Sequence, residues 1–247
     1  MTLLDATASA AARRAILARL RGAAPAQPLP TPDLAPFFQS PFGRGVQGER
    51  PAPADLIAPF EAAARGWRAE VLHASPANWP AAVQQVLQQR GCRHLAVGQG
   101  FPGLHALTAQ LAPQLGHGLT LHPFASPLED WKPQLFDQID AGLTCAAAGV
   151  ADTGSLVLQP GPGEPRTLSL VPPLHIAVLP ARRLYASLAA AWSALQPQAD
   201  MPTNLLLISG PSKTADIQQV LAFGAHGPKE LVIVLVNDLQ NDSEVCA

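Results

Sequence analysis
The sequence predicts an α/β protein with a mostly parallel sheet and a small antiparallel insertion. Two observations carry this expectation. Short apolar runs that read as buried strands (His94–Val97, His175–Leu179, Leu205–Ile208 and Leu231–Val236) alternate with amphipathic segments of helical period. In the middle of the chain that alternation breaks, and two strand-like runs flank the turn-forming stretch Pro160–Pro165.

Ser9–Leu20 reads as a helix with Ile16, Leu17 and Leu20 on one side and arginines on the other, stopped at Gly22. The prolines between Ala23 and Pro36 predict an extended connector, and the Gly- and Pro-rich segment Gly43–Pro53 a loop. Residues 1–53 are therefore expected to form an arm, and residues 54–247 the main domain. Within the domain, Leu56–Arg65 is a helix and Trp67–His73 alternates like a strand. Trp79–Gln89 is a helix closed at Gly91, His94–Val97 a strand, Leu104–Leu111 a helix and Leu119–Phe124 a short strand. Glu129 and Asp130 read as a solvated turn, and Leu143–Ala148 as an apolar segment of unassigned type. Ser155–Gln159 is a strand, with Thr167–Val171 as its return. His175–Leu179 is a strand, Leu184–Leu195 a helix, Leu205–Ile208 a strand, Ala215–Phe223 a helix stopped at Gly224, and Leu231–Val236 the last strand.

Composition narrows the function classes. With 48% hydrophobic residues a sizeable core is available. A net charge of −2 supplies neither a basic stripe for nucleic acid nor a polybasic membrane anchor. Charged residues make up only 14%, which leaves room for a partner or self-association surface. No apolar run approaches membrane-spanning length. The arginines around residues 13–21 leave no uninterrupted apolar stretch of a signal peptide. The three cysteines, Cys92, Cys145 and Cys246, lie far apart, form no CxxC pair and fall short of the four thiolates of an iron–sulfur cluster. Such a scattered set points to a reducing compartment, with the cytoplasm as default.

The chemistry concentrates in Asn204–Pro228. After the apolar run ending at Ile208 come a Gly210-Pro211 turn, then Ser212, Lys213 and Thr214 at the expected start of a helix. The first amides of a helix lack intrahelical partners and carry partial positive charge, so this corner suits a carboxylate or phosphate. Simple capping by Ser212 or Thr214, with Asp216 complementing the dipole, explains part of the same pattern, and both readings stay open. A nucleotide P-loop is excluded, because Ser212 and Leu207 stand where that motif needs glycine. His226, in Gly-Ala-His-Gly-Pro, is either an acid, base or donor held in a stiff turn or a surface histidine. Thr153, Gly154 and Ser155 form a turn entering a strand, whose groups either face a ligand or merely shape the turn. Arg166 is a potential anion clamp. Gly98, Gly100 and Gly103 spell a literal GxGxxG, but Pro102 stiffens it and His122 and Pro123 stand where the ribose-binding acid belongs, so a plain Gly-rich loop is the better reading. The histidines show no metal-ligand pairing.

Taken together, Ala-Asp-Thr-Gly-Ser-Leu-Val-Leu at 151–158, the R-x-x-S-x-x-P-x-x-H run from Arg166 to His175, and the segment 210–228 resemble the LUD-domain family, the lactate utilization protein C proteins. That family usually shows Glu-Thr-Gly-Thr at 152–155, Arg at Lys213 and Glu at Gln218; lysine keeps the charge but loses the bidentate fork. The resemblance implies a three-layer α/β/α fold similar to that of ribose-5-phosphate isomerase, glucosamine-6-phosphate deaminase and the CoA-transferases. It also implies a subunit without cofactors of its own in an L-lactate-oxidising complex, whose partners carry the iron–sulfur clusters. The expected anion site comprises Gly210, Ser212, Lys213 and Thr214, faced by Thr153, Gly154, Ser155 and Arg166, with His226 as the nearest titrating group. The alternative is a stand-alone enzyme acting on a small phosphorylated, CoA or folate substrate.

Overall fold
The computed structural model describes residues 6–23, 30, 51–113, 115, 118–124, 128–195, 202, 204–215, 221–223 and 226–240. The chain divides into two compact units, Met1–Phe38 and Gln39–Ala247. In the first, helix α1 spans Ala6–Ala23, with Ile16 and Leu20 exposed. The expected connector and loop between α1 and residue 51 lie almost wholly outside the described residues.

The second unit opens with α2 (Pro53–Gly66) and β1 (Glu70–Ala74), then α3 (Trp79–Gln89), β2 (His94–Gly98), α4 (Leu104–Leu111), β3 (Thr120–Phe124) and α5 (Leu128–Asp137). Two strands follow, β4 (Ala141–Cys145) and β5 (Ala148–Val150), then β6 (Ser155–Leu158), the single helical turn α6 (Thr167–Leu170) and β7 (Leu174–Pro180). After a 3-10 turn come β8 (Leu184–Tyr185), α7 (Leu188–Leu195), β9 (Leu206–Ile208), β10 (Lys213–Ala215), β11 (Leu221–Phe223) and β12 (Glu230–Val236).

Six strands form one sheet in the order β1-β12-β7-β4-β2-β3, every pair parallel. Parallel strands are covered on both faces, which is why β12 is buried from Leu231 to Val236 without alternation. Val232, Val234, Ile176, Val178, Leu95, Val97 and Leu143 pack under α3 and α4 on one face. On the other face Leu231, Ile233, Leu235, Ala177 and Leu179 meet Leu56 and Phe60 of α2 together with Leu156 and Leu158 of β6. The antiparallel insertion lies in the second sheet, ordered β8-β5-β6-β9, where β5, β6 and β9 pair antiparallel and β8 joins β5 in parallel. Its outer side, at Val150 and Val157, is covered by Ala191 of α7. The expected architecture of helices over a mostly parallel sheet, with a small antiparallel part, is the one observed.

Four local expectations are corrected. Thr167–Val171 does not return along β6, because β5 and β9 already occupy both edges of that strand. It coils instead into α6, which sits so close on the main sheet that a Cβ at Gly142 would lie 2.0 Å from the Leu168 carbonyl oxygen. Glu129 and Asp130 are not in a turn but in the first turn of α5, where their charge suits the helix dipole. That helix is held by Trp131 and Leu135, four residues apart and both buried against Ala96. Leu184–Leu195 splits into β8 and α7, since Leu184 is buried between the sheets and the Ser187 hydroxyl accepts the Ala190 amide at 3.3 Å, starting a new helix. The fourth correction, Ala215–Phe223, bears on the site.

Candidate functional site
The site grows from β9, which lies at the edge of the second sheet and pairs with β6 through Ile208 and Leu156. Past Ser209 the chain must turn against Trp67. A Cβ at Gly210 would lie 2.5 Å from the Trp67 carbonyl oxygen, and its φ of 141° is one that side chains rarely allow. The Ser212 amide then donates to the Pro228 carbonyl at 2.8 Å, tying this turn to the His226-Gly227-Pro228 turn. The Lys229 amide donates in turn to the Pro173 carbonyl at 2.7 Å, which ties both to the end of the Arg166–His175 run. Segments remote in sequence are thus stitched together by backbone hydrogen bonds.

Between them lies a cavity of about 190 Å³. Its polar lining is Ser169, His175, Ser209, Ser212 and His226, with Gly227 beside them; Leu170, Leu207, Ile208 and Leu231 supply apolar wall. An adjoining cleft of about 430 Å³ shares Leu207, Ser209 and Gly210 and adds Trp67, Arg68, Pro211 and Lys213. Trp67 is half-exposed there, and Arg68 and Lys213 both line the cleft.

His175 is the most unusual group. It is completely buried on β7, and burial pushes its imidazole down to about 3, so it is neutral near pH 7. Nε2 is hydrogen-bonded to the Thr144 hydroxyl at 2.9 Å, while Nδ1 has no partner. Ser169, also buried, donates its hydroxyl to the Arg166 carbonyl at 3.0 Å. A chain of hydroxyls reaches the cavity wall from the other side: Ser155 Oγ donates to Thr153 Oγ1 at 2.8 Å and lies 2.6 Å from Ser209 Oγ.

Of the residues expected from sequence, Gly210, Ser212 and His226 come together around the smaller cavity. Thr153 and Ser155 reach it through Ser209. Gly154 does something else: with φ at 64° and a would-be Cβ 2.2 Å from the Ala64 amide nitrogen, it lets the turn press onto α2. Lys213 lines the adjoining cleft and not the cavity that holds His226. Arg166 reaches out to the Asn204 side chain at 3.0 Å and lines neither space. Thr214 is placed as a backbone position of β10.

The helix expected over Ala215–Phe223 is overturned at both ends. Lys213–Ala215 pairs antiparallel with Leu221–Phe223, Lys213 opposite Phe223 and Thr214 opposite Ala222. A helix this short is marginal in isolation, whereas the strand pair satisfies amides and carbonyls of both segments directly. Asp216, Ile217 and Val220 lie outside the described residues. Helix-start amides are therefore not available at Ser212–Thr214, and any anion there would have to be met by side chains and turn amides.

The Gly-rich loop has a plain structural role. The Gly100 amide donates to the Gly163 carbonyl at 3.0 Å, and a Cβ at Gly98 would lie 2.3 Å from that same oxygen. The chain's own 160–165 turn occupies the space a pyrophosphate would need. That turn carries Glu164, which sequence reading passed over. Its Oε1 accepts the Cys145 amide at 3.1 Å, and burial pushes the carboxyl up to about 7. Also missed were Ser209 and Trp67, for which no sequence pattern stood out. Ser169 and His175 were visible only as members of the Arg166–His175 run. No group of three or more metal-ligating side chains occurs among the described residues.

Comparison with known proteins places these motifs. The family model described as LUD domain matches residues 57–236. An uncharacterized protein of Neisseria meningitidis serogroup B is 34% identical over 229 residues, covering 91% of this chain and 93% of that protein. A lactate utilization protein C of Deinococcus radiodurans is 28% identical over 208 residues, 79% of this chain and 92% of that protein. The lactate utilization protein C of an Exiguobacterium species is 36% identical over 110 residues, 43% of this chain and 48% of its own length, so the match spans about half of that relative. Among solved structures, a DUF162 family protein from Deinococcus radiodurans, determined at 1.70 Å, shares the fold. Its TM-score is 0.52 at 23% identity, over 76% of this chain and 99% of that one.

Proposed function
The chain belongs to the LUD domain family, and we propose that it serves lactate utilization as the subunit that holds a small anion while iron–sulfur partner proteins carry the electrons. The observation that carries this reading is the convergence of the Thr153–Ser155 turn, the Arg166–His175 run and the 209–228 segment on one cavity. Relatives named lactate utilization protein C direct the choice of anion toward lactate or its oxidation product.

The state of the two described cysteines supports this division of labour. Cys145 is disulfide-bonded, and burial raises the Cys92 thiol to about 11, helped by the nearby Asp140 carboxylate. Neither offers a ready thiolate for a cluster. The carboxylate would be met by the Ser212 and Ser209 hydroxyls and His226, with Lys213 and Arg68 supplying positive potential from the adjoining cleft. Leu170 and Leu207 would face the methyl group.

The experiment is affinity purification of the tagged chain from its native cell, together with deletion of its gene. Co-purifying iron–sulfur proteins and loss of growth on L-lactate are expected. Recovery of no such partner, with growth intact, would discard the reading. In purified protein, Ser212→Ala is expected to weaken L-lactate binding roughly tenfold, the size of one charge-assisted contact, and Lys213→Ala to weaken it less and only at low salt.

A further inference from the structure
We propose that the cleft of about 430 Å³ lined by Trp67 and Lys213 is a second ligand site, taking a small molecule that joins a flat aromatic ring to an anionic group. The site stands beside the smaller cavity and does not depend on what that cavity holds.

The cleft forms where two segments far apart in sequence meet. Helix α2 ends at Gly66, and the Trp67 amide closes it by donating to the Ala63 and Ala64 carbonyls. The Arg68 amide then donates to the Arg65 carbonyl at 2.9 Å, with Arg68 at a φ of 68°. Glycine is the usual residue in such a left-handed conformation after a helix, because a Cβ is unfavourable there. Arg68 takes it instead, and it alone does so among the described residues other than glycine. A costly backbone conformation kept for one particular side chain points to a task for that side chain. The other wall comes from β9 and the turn after it. A Cβ at Gly210 would lie 3.1 Å from the Trp67 Cβ, so the turn holds the base of the indole in place.

The groups on this cleft are open to solvent. Trp67 is 55% exposed and Leu207 51%, and Arg68, Ser209 and Lys213 are exposed beside them. Single exposed apolar residues are ordinary on a protein surface. Two large ones from remote segments lining one cleft make a wall that a ligand can cover. An indole is a stacking platform for any flat ring. By itself it would accept a cationic ring as well, but Arg68 and Lys213 repel one and attract a phosphate or carboxylate. None of the residues lining the cleft is acidic. The volume falls within the range of small-molecule sites.

The test is calorimetric titration of the full chain at low salt with phenyl phosphate, adenosine monophosphate, inorganic phosphate and adenosine. At least one of the two ring-bearing phosphates is expected to bind tenfold or more tightly than either inorganic phosphate or adenosine, a gain within the reach of one stacked ring. Tighter binding of the nucleotide assigns the site to that class, and tighter binding of phenyl phosphate to simple aryl anions. Trp67→Ala should remove the advantage over inorganic phosphate, and Trp67→Phe, which keeps a stacking face, should restore most of it. Lys213→Ala should weaken the ring-bearing anion severalfold, a difference that added salt erases. Circular dichroism of each variant checks that the fold is intact. No advantage of either ring-bearing phosphate, or an advantage untouched by Trp67→Ala, would overturn the assignment. L-Lactate titrated alongside reports on the neighbouring cavity, and Trp67→Ala should leave its binding unchanged. Binding of L-lactate without any ring-bearing anion would overturn this site and leave the lactate reading standing, whereas the reverse would sustain this site and count against lactate.

Discussion
Substitution of Glu164 by glutamine tests how the 160–165 turn is seated on the carboxyl-terminal edge of the main sheet. Burial raises this carboxyl from its ordinary 4.5 to about 7, partly offset by the hydrogen bond from the Cys145 amide. Below pH 4.5 folded and unfolded chains both hold the proton. Between 4.5 and about 7 the unfolded chain has released it and the folded chain has not, so stability falls as pH rises through this window and levels off above it. The full separation corresponds to roughly 3 kcal/mol, at about 1.4 kcal/mol per unit. Glutamine keeps an acceptor oxygen for the Cys145 amide and never ionises. Glu164→Gln should therefore match the wild type at pH 4.5 and exceed its stability by roughly 2–3 kcal/mol at pH 8. Urea unfolding followed by tryptophan fluorescence across pH 4.5–8 measures the difference. A gap between the two proteins that does not change with pH would refute the buried, proton-holding carboxyl.

His175 gives the opposite slope. Its folded value, about 3, lies below the ordinary 6.5, so its contribution is complete above 6.5 and is lost as pH falls below that value toward 3. Between 4.5 and 6.5 the two groups oppose each other, and the Glu164→Gln variant should show an acid loss, visible in the same urea series, that the wild type masks. Gly154→Ala forces a Cβ to 2.2 Å from the Ala64 amide at φ 64° and should cost about 3 kcal/mol or more; a melting temperature within a few degrees of wild type would contradict the packing described. Asp238 is fully buried, accepts the Arg182 amide at 3.0 Å and places Oδ2 2.6 Å from Arg182 Nε. Asp238→Asn should therefore destabilise by about 3 kcal/mol, moderated by the partial exposure of Arg182, with unchanged urea midpoint as the refuting result.

The parallel sheet was legible because fully buried strands write themselves as apolar runs. Leu231–Val236 and His175–Leu179 are buried along their whole length and have no polar face to confuse their period. Legibility failed where a segment's type was decided by what remained unpaired around it. Thr167–Leu170 has a strand-like composition, yet β6 had no free edge to offer. Leu184 and Tyr185 read as the start of a helix, but β5 presented an edge and took them as β8. In α5 the buried anchors among the described side chains are Trp131 and Leu135, and Pro133 between them disguises the period.

The site shows the same limit in chemical form. Residue types that advertise chemistry, Ser212 and His226, were found from sequence and do meet. Arg166 advertises it equally and spends its guanidinium on Asn204. His175 sits in a strand whose pattern calls only for a buried residue, and nothing in that pattern separates an inert core imidazole from one facing a cavity. The structure shows Thr144 holding one nitrogen, the other buried without a hydrogen-bond partner, and the 209–212 and 226–228 turns forming a cavity beside the residue. It also changes the physics assigned to the anion. With β10 in place of a helix start, the positive end of a dipole is gone, and the proposed anion would be held by individual donors such as Ser209, Ser212 and His226, not by a field that any anion would feel.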